Sequence, residues 1–102
     1  MNMLVVDDEA DIANMLAEFF RMEGYEVSVA HDGPSALAAA SSGPTPDIML
    51  LDVNMPGMDG FEVCRRVRKH VSCPIIFLTA RVEDMDQLDG FAAGADDYVF
   101  KP

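Results

Sequence analysis

Three uninterrupted apolar runs, at residues 3–6, 48–51 and 74–78, leave few folds open to this chain. Each is too short for a helix and lacks polar alternation, so each reads as a strand buried on both faces of a parallel sheet. Helical patterns lie between them. Ile12, Met15, Leu16 and Phe19 fall at i, i+3, i+4, i+7 and predict an inward stripe, with Gly24 closing that helix. Residues 25–30 form a strand whose alternation of Tyr25, Val27 and Val29 with Glu26 and Ser28 predicts an edge position.

Asp32 or Gly33 caps a second helix with Pro34 at its start and Ala36, Leu37 and Ala40 along it, and residues 41–46, Ser-Ser-Gly-Pro-Thr-Pro, stop it. Asp59 or Gly60 caps a third, with an apolar stripe of Phe61, Cys64, Val67 and Val71. Its Arg65, Arg66, Arg68 and Lys69 read as a solvated end favoured by the helix dipole. A fourth helix runs through Met85, Leu88 and Phe91 to Gly94, and residues 98–100 are a fifth strand. Strand and helix alternate throughout, which predicts one α/β domain over residues 1–102. Its architecture is a doubly wound, five-stranded parallel sheet in the flavodoxin-like order 2-1-3-4-5.

That order sends the strand ends to one rim. Asp7 and Asp8 follow the first strand, Asp52 the third, Thr79 the fourth and Lys101 the fifth, although they are far apart in sequence. Any one of them is explained as a turn or cap residue; their coincidence at equivalent strand ends points to a site. Asp52 stands out, because Met55-Pro56-Gly57 turns the chain away and leaves the carboxylate at the end of a central strand, where open α/β sheets bind ligands. Two unit charges ~4 Å apart at an effective dielectric of ~20 repel by about 4 kcal/mol, so three carboxylates there need a counter-charge. Mg²⁺ fits, since it takes oxygen ligands and commonly one or two carboxylates plus a phosphate. An aspartate beside such a cation is a candidate phosphoryl acceptor, with Thr79 and Lys101 as charge-neutralising donors.

A formal charge of -11, from 18 acids against 7 bases, argues against direct contact with nucleic acid or anionic lipid and suits a cation. Residues 1–6 meet Asp7 and Asp8 too early for a signal peptide, and no apolar run has membrane-spanning length, so cytoplasmic placement is expected. Cys64 and Cys73 lack metal spacing and read as reduced structural thiols. His31 and His70 read as surface residues.

Val5-Val6-Asp7-Asp8-Glu9, the run from Leu51 through Asp52, Asn54, Met55-Pro56-Gly57 to Asp59-Gly60, Leu78-Thr79-Ala80-Arg81 and Gly94-Ala95-Asp96-Asp97-Tyr98 to Lys101-Pro102 carry a resemblance. Together they closely resemble the receiver domain of bacterial two-component response regulators, most like the OmpR-type winged-helix subfamily. The resemblance implies that Asp52 accepts a phosphoryl group from a sensor histidine kinase. Asp8, Asp52 and the Asn54 backbone carbonyl would ligate Mg²⁺, with Asp7 acting through water. Thr79, Ala80 and Lys101 would bind the phosphoryl group, Thr79 and Tyr98 would form the switch, and the Lys101–Pro102 bond would be cis. The domain would catalyse its own phosphorylation and a slow hydrolysis of the aspartyl phosphate, and would regulate an effector, transcriptional in this subfamily.

Three other readings compete. Asp52-x-Asn54 with Gly57 imitates a calcium-binding EF-hand loop, but Pro56 and Val63 occupy ligand places. A phosphatase of the haloacid dehalogenase type resembles the strand-end aspartate, but Asn54 stands where its second aspartate belongs. The third is a phosphorylation-independent receiver-like interaction module; such domains usually lack one of the acidic, threonine or lysine positions, all present here.

Two departures from the resembling family matter. Its OmpR-like members carry bases on the fourth helix that pair across a dimer, whereas residues 85–89 hold none. The sequence also stops at Pro102, so the expected domain lacks its last helix and any DNA-binding region, and direct nucleic acid binding is not expected. With the first helix alone on one face, a bare area of about 500 Å² at ~25 cal/mol per Å² would cost up to roughly 12 kcal/mol. Self-association that covers it is therefore expected.

Overall fold

The computed structural model describes residues 1–79 and 96–100, the side chains of Tyr98 and Phe100 excepted. Five strands, β1 (Asn2–Val6), β2 (Glu26–Ala30), β3 (Ile48–Asp52), β4 (Ile75–Thr79) and β5 (Asp97–Phe100), form one sheet in the order β2-β1-β3-β4-β5. All neighbouring pairs are parallel, and the predicted edge strand lies at the edge. Three helices occupy the connections: α1 (Ala10–Met22), α2 (Gly33–Ser42) and α3 (Gly60–Val67). The helix predicted through Met85, Leu88 and Phe91 lies outside the described residues.

Alternate residues of the central strands feed two cores, as a pleated strand requires. Leu4, Val6, Met49, Leu51 and Phe77 pack with the α2 and α3 residues Ala36, Ala40, Val63, Cys64 and Val67 on one face. On the other, Met3, Val5, Leu50 and Leu78 meet Ala13, Leu16 and Phe20 of α1. The caps settle between the aspartate and glycine alternatives. Asp32 accepts from the Ser35 N–H at 2.7 Å and Asp59 from the Glu62 N–H at 2.9 Å, two orphan donors satisfied at helix starts. That contact holds the Asp32 carboxyl below the usual carboxylate range.

Three expectations are corrected. The inward face of α1 is Ala13, Leu16, Ala17 and Phe20, while Met15 and Phe19 are 49% and 48% exposed. Small residues face the sheet because they let the helix backbone approach it, and large apolar residues one position away mimic a core stripe. Arg68 is not a solvated base: α3 ends at Val67, so residue 68 falls over the start of β4. Its Nη1 donates to the Cys73 carbonyl at 2.6 Å and its Nη2 to Asp96 Oδ2 at 2.9 Å, an oxygen that also accepts from the Ile75 N–H at 2.8 Å. Finally, the sheet face expected to be bare is covered in part, since Leu50 and Leu78 are buried and Ile48 and Ile76 half-buried. Both cysteines are reduced; burial pushes the Cys64 thiol up to about 11 and raises that of Cys73.

Candidate metal and phosphoacceptor site

β1 and β3 are neighbours, with Val6 opposite Leu51, so the next residue of each, Asp7 and Asp52, arrives at the same level of the carboxyl rim. Both side chains are buried, whereas Asp8 is exposed. One carboxylate oxygen from each of Asp7, Asp8 and Asp52 lies within 4.8 Å of the others. The sequence therefore named a cluster that the fold assembles.

Local turns aim two of these carboxylates. Asp7 Oδ1 accepts from the Glu9 N–H at 2.9 Å, and Asp52 Oδ1 from the Asn54 N–H at 3.3 Å, each a side chain closing onto backbone two residues ahead. The Asp7 backbone is tied to β2 and the residue after it: its N–H donates to Ala30 at 3.1 Å, and its carbonyl lies 3.0 Å from His31 Nδ1. Thr79 ends β4 fully buried, one step beyond Leu78, which pairs with Asp52. Among the described residues the rim thus offers three carboxylates and one hydroxyl from three adjacent strands. Ala80, Lys101, the Lys101–Pro102 bond and the Tyr98 side chain lie outside the described residues.

Asn54 follows β3 into the turn, where Gly57 takes a φ of +79° that side-chain-bearing residues rarely adopt. Gly60 is a site residue that sequence reading had offered only as an alternative cap. Its N–H donates to the Val53 carbonyl at 2.9 Å, and a Cβ there would collide with the Asp52 carbonyl oxygen and stand 2.8 Å from Val53 Cα. The absence of a side chain lets the start of α3 press against the end of β3. No periodicity signals this, because a capping glycine and a close-approach glycine look alike in sequence. His31 is exposed, as expected, and its contact with the Asp7 carbonyl depends on β2 lying beside β1.

A small divalent cation fits this donor set. Oxygens on opposite sides of Mg²⁺ stand about 4.2 Å apart, so a cluster no wider than 4.8 Å suits direct ligation by some carboxylates and a water bridge to another. The donors are hard oxygens, as Mg²⁺ requires.

A doubly wound parallel sheet with an acidic pocket at its carboxyl rim is the flavodoxin-like class of α/β domain. The chain belongs to the response regulator receiver domain family, which matches residues 3–102. It is 46% identical over 101 residues to the sensory transduction protein RegX3 of Mycolicibacterium smegmatis, covering 99% of this chain and 44% of that protein. The chain thus spans less than half the length of that relative. Among solved structures it resembles chemotaxis protein CheY4 of Vibrio cholerae, with a TM-score of 0.91, 38% identity and coverage of 99% and 86%. The response regulator TrrA of Thermotoga maritima, solved in complex with Mg²⁺ and BeF, gives a TM-score of 0.89, 41% identity and the same coverage.

Proposed function

We propose that this receiver domain is a phosphorylation-dependent switch whose acceptor is Asp52. The observation that carries the reading is the convergence of Asp7, Asp8 and Asp52 within 4.8 Å at the end of the central strands. A carboxylate oxygen of Asp52 attacks the phosphorus of a phosphohistidine on a sensor kinase; the P–N bond breaks, and the imidazole leaves with the electron pair. Asp8, Asp52 and the Asn54 carbonyl would hold Mg²⁺, with Asp7 acting through water, and the cation would supply positive charge against the phosphoryl oxygens. The Mg²⁺ complex of TrrA supports that cofactor. Thr79, Ala80 and Lys101 bind the transferred group, and Thr79 and Tyr98 relay its presence to the surface of β5.

The likeness to the sensory transduction protein RegX3 supports a signalling role, and the resemblance of the motifs around Asp52 and Lys101 to OmpR-type regulators supports a transcriptional output through an effector, in the cytoplasm. The surplus of acids over bases supports the absence of direct nucleic acid binding by this segment. Among the described residues no helix is long and apolar enough to cross a membrane.

Incubation with acetyl phosphate and Mg²⁺, followed by borohydride trapping and mass spectrometry, tests the assignment. Label is expected on Asp52 alone and is lost in Asp52→Asn. An inert Asp52 in a folded chain would favour a phosphorylation-independent interaction module instead.

A further inference from the structure

Four of the seven lysines and arginines of this acidic chain fall within residues 65–69, and three of them face one groove. The groove lies between α2 and α3 and has a volume of about 680 Å³. Leu37 and Ser41 line it from α2, and Arg65, Arg66, Lys69 and His70 from α3 and the residues after it. Glu62 is the acid among the lining residues, and it organises the bases. Its Oε2 accepts from Arg65 Nε and its Oε1 from Arg66 Nε, both at 3.1 Å. Those two arginines hold the Glu62 carboxyl below its usual range. Each guanidinium contributes only Nε to this pair, which leaves its terminal nitrogens for another acceptor.

The helix dipole accounts for bases near the end of α3, but not for a walled groove in which one carboxylate braces two arginines. We infer that this groove binds a small phosphate-bearing anion, at a site separate from the acidic rim. Arginine forks match phosphate oxygens, and the volume lies in the range of small-molecule sites. Size follows from charge. The lining carries three bases against one acid, while the whole chain carries -11. At physiological salt the field is screened over about 8 Å, so a compact anion meets the local positive patch, whereas a long acidic segment would run onto the repelling surface beyond it.

Inorganic pyrophosphate is the probe, titrated into the whole chain in metal-free buffer and followed by amide chemical shifts. Saturable shifts confined to residues 37–41 and 62–70 are expected. The double variant Arg66→Gln with Lys69→Gln should weaken binding at least about tenfold. Arg21→Gln, which removes one positive charge from α1 on the other face of the sheet, should change it by less than about twofold. Circular dichroism establishes that each variant is folded. Shifts spread over the molecule, equal loss in both variants, or absence of saturation at millimolar pyrophosphate would overturn the inference. So would tighter binding of a hexaglutamate peptide, since that would make the groove an acidic-protein surface.

Discussion

Asp7, Asp8 and Asp52 are gathered by strands that the core holds together, so their mutual repulsion acts against the fold whenever no cation is present. Ligand linkage makes this measurable: Mg²⁺ at about a hundred times its dissociation constant should stabilise the chain by about 2.7 kcal/mol. In thermal melts Asp8→Asn should lose most of that gain and, without metal, unfold no earlier than wild type. Equal protection of both proteins by Mg²⁺ would contradict the assigned ligands. Gly60 acts at the same rim through shape. Gly60→Ala forces a methyl against the backbone of Asp52 and Val53, and overpacking of this kind costs about 1–3 kcal/mol. Urea unfolding should register that loss together with a weaker Mg²⁺ response; a change under about 0.5 kcal/mol would mean the strand end yields freely.

α1 shows how an element's inner face is chosen. Two overlapping sets compete on this helix, the larger Ile12, Met15, Leu16 and Phe19 and the smaller Ala13, Leu16, Ala17 and Phe20, offset by about one residue. Close approach to Met3, Val5 and Leu50 selects the set containing alanines. Ala13→Leu or Ala17→Leu should therefore cost about 1–3 kcal/mol, because a fully buried alanine has no room to grow. Met15→Gln and Phe19→Gln should stay within about 0.5 kcal/mol in urea melts of the dilute protein. The opposite ranking would restore the larger stripe as the inner face. α3 offers no such ambiguity, since Phe61, Val63, Cys64 and Val67 are buried and its bases lie off that stripe. Its one departure, Arg68, joins the end of α3 to the starts of β4 and β5 through Cys73 and Asp96.

At the scale of the whole molecule, the α1 face of the sheet keeps an apolar surface. Met15, Phe19 and Met22 line the exposed side of α1, and Val99, paired with the α1-facing Leu78, is 44% exposed. We propose that this chain self-associates by covering that surface. Sedimentation equilibrium should then give an apparent mass that climbs from 11.1 kDa towards twice that value with concentration, together with a melting temperature that rises in parallel. A constant 11.1 kDa at every concentration would contradict it. Phe19→Gln should shift the association while leaving the dilute melt unchanged, which separates this effect from the packing argument for α1.

Sequence alone determined the sheet order, the strand ends and the acidic cluster. These depend on local quantities: apolar runs with no alternation, one edge strand with alternation, and turn residues directly after carboxylates. Asp7, Asp8, Asp52 and Thr79 were readable because a strand end is a position in the chain before it is a position in space. Tertiary structure decided the rest. Which stripe of α1 faces inward depends on the distance to the sheet, which no helical period encodes. The role of Gly60 depends on the path of Asp52 and Val53 beneath it, and that of Arg68 on where β4 and β5 begin. These are contacts between segments distant in sequence, and they exist only once the sheet has brought those segments together.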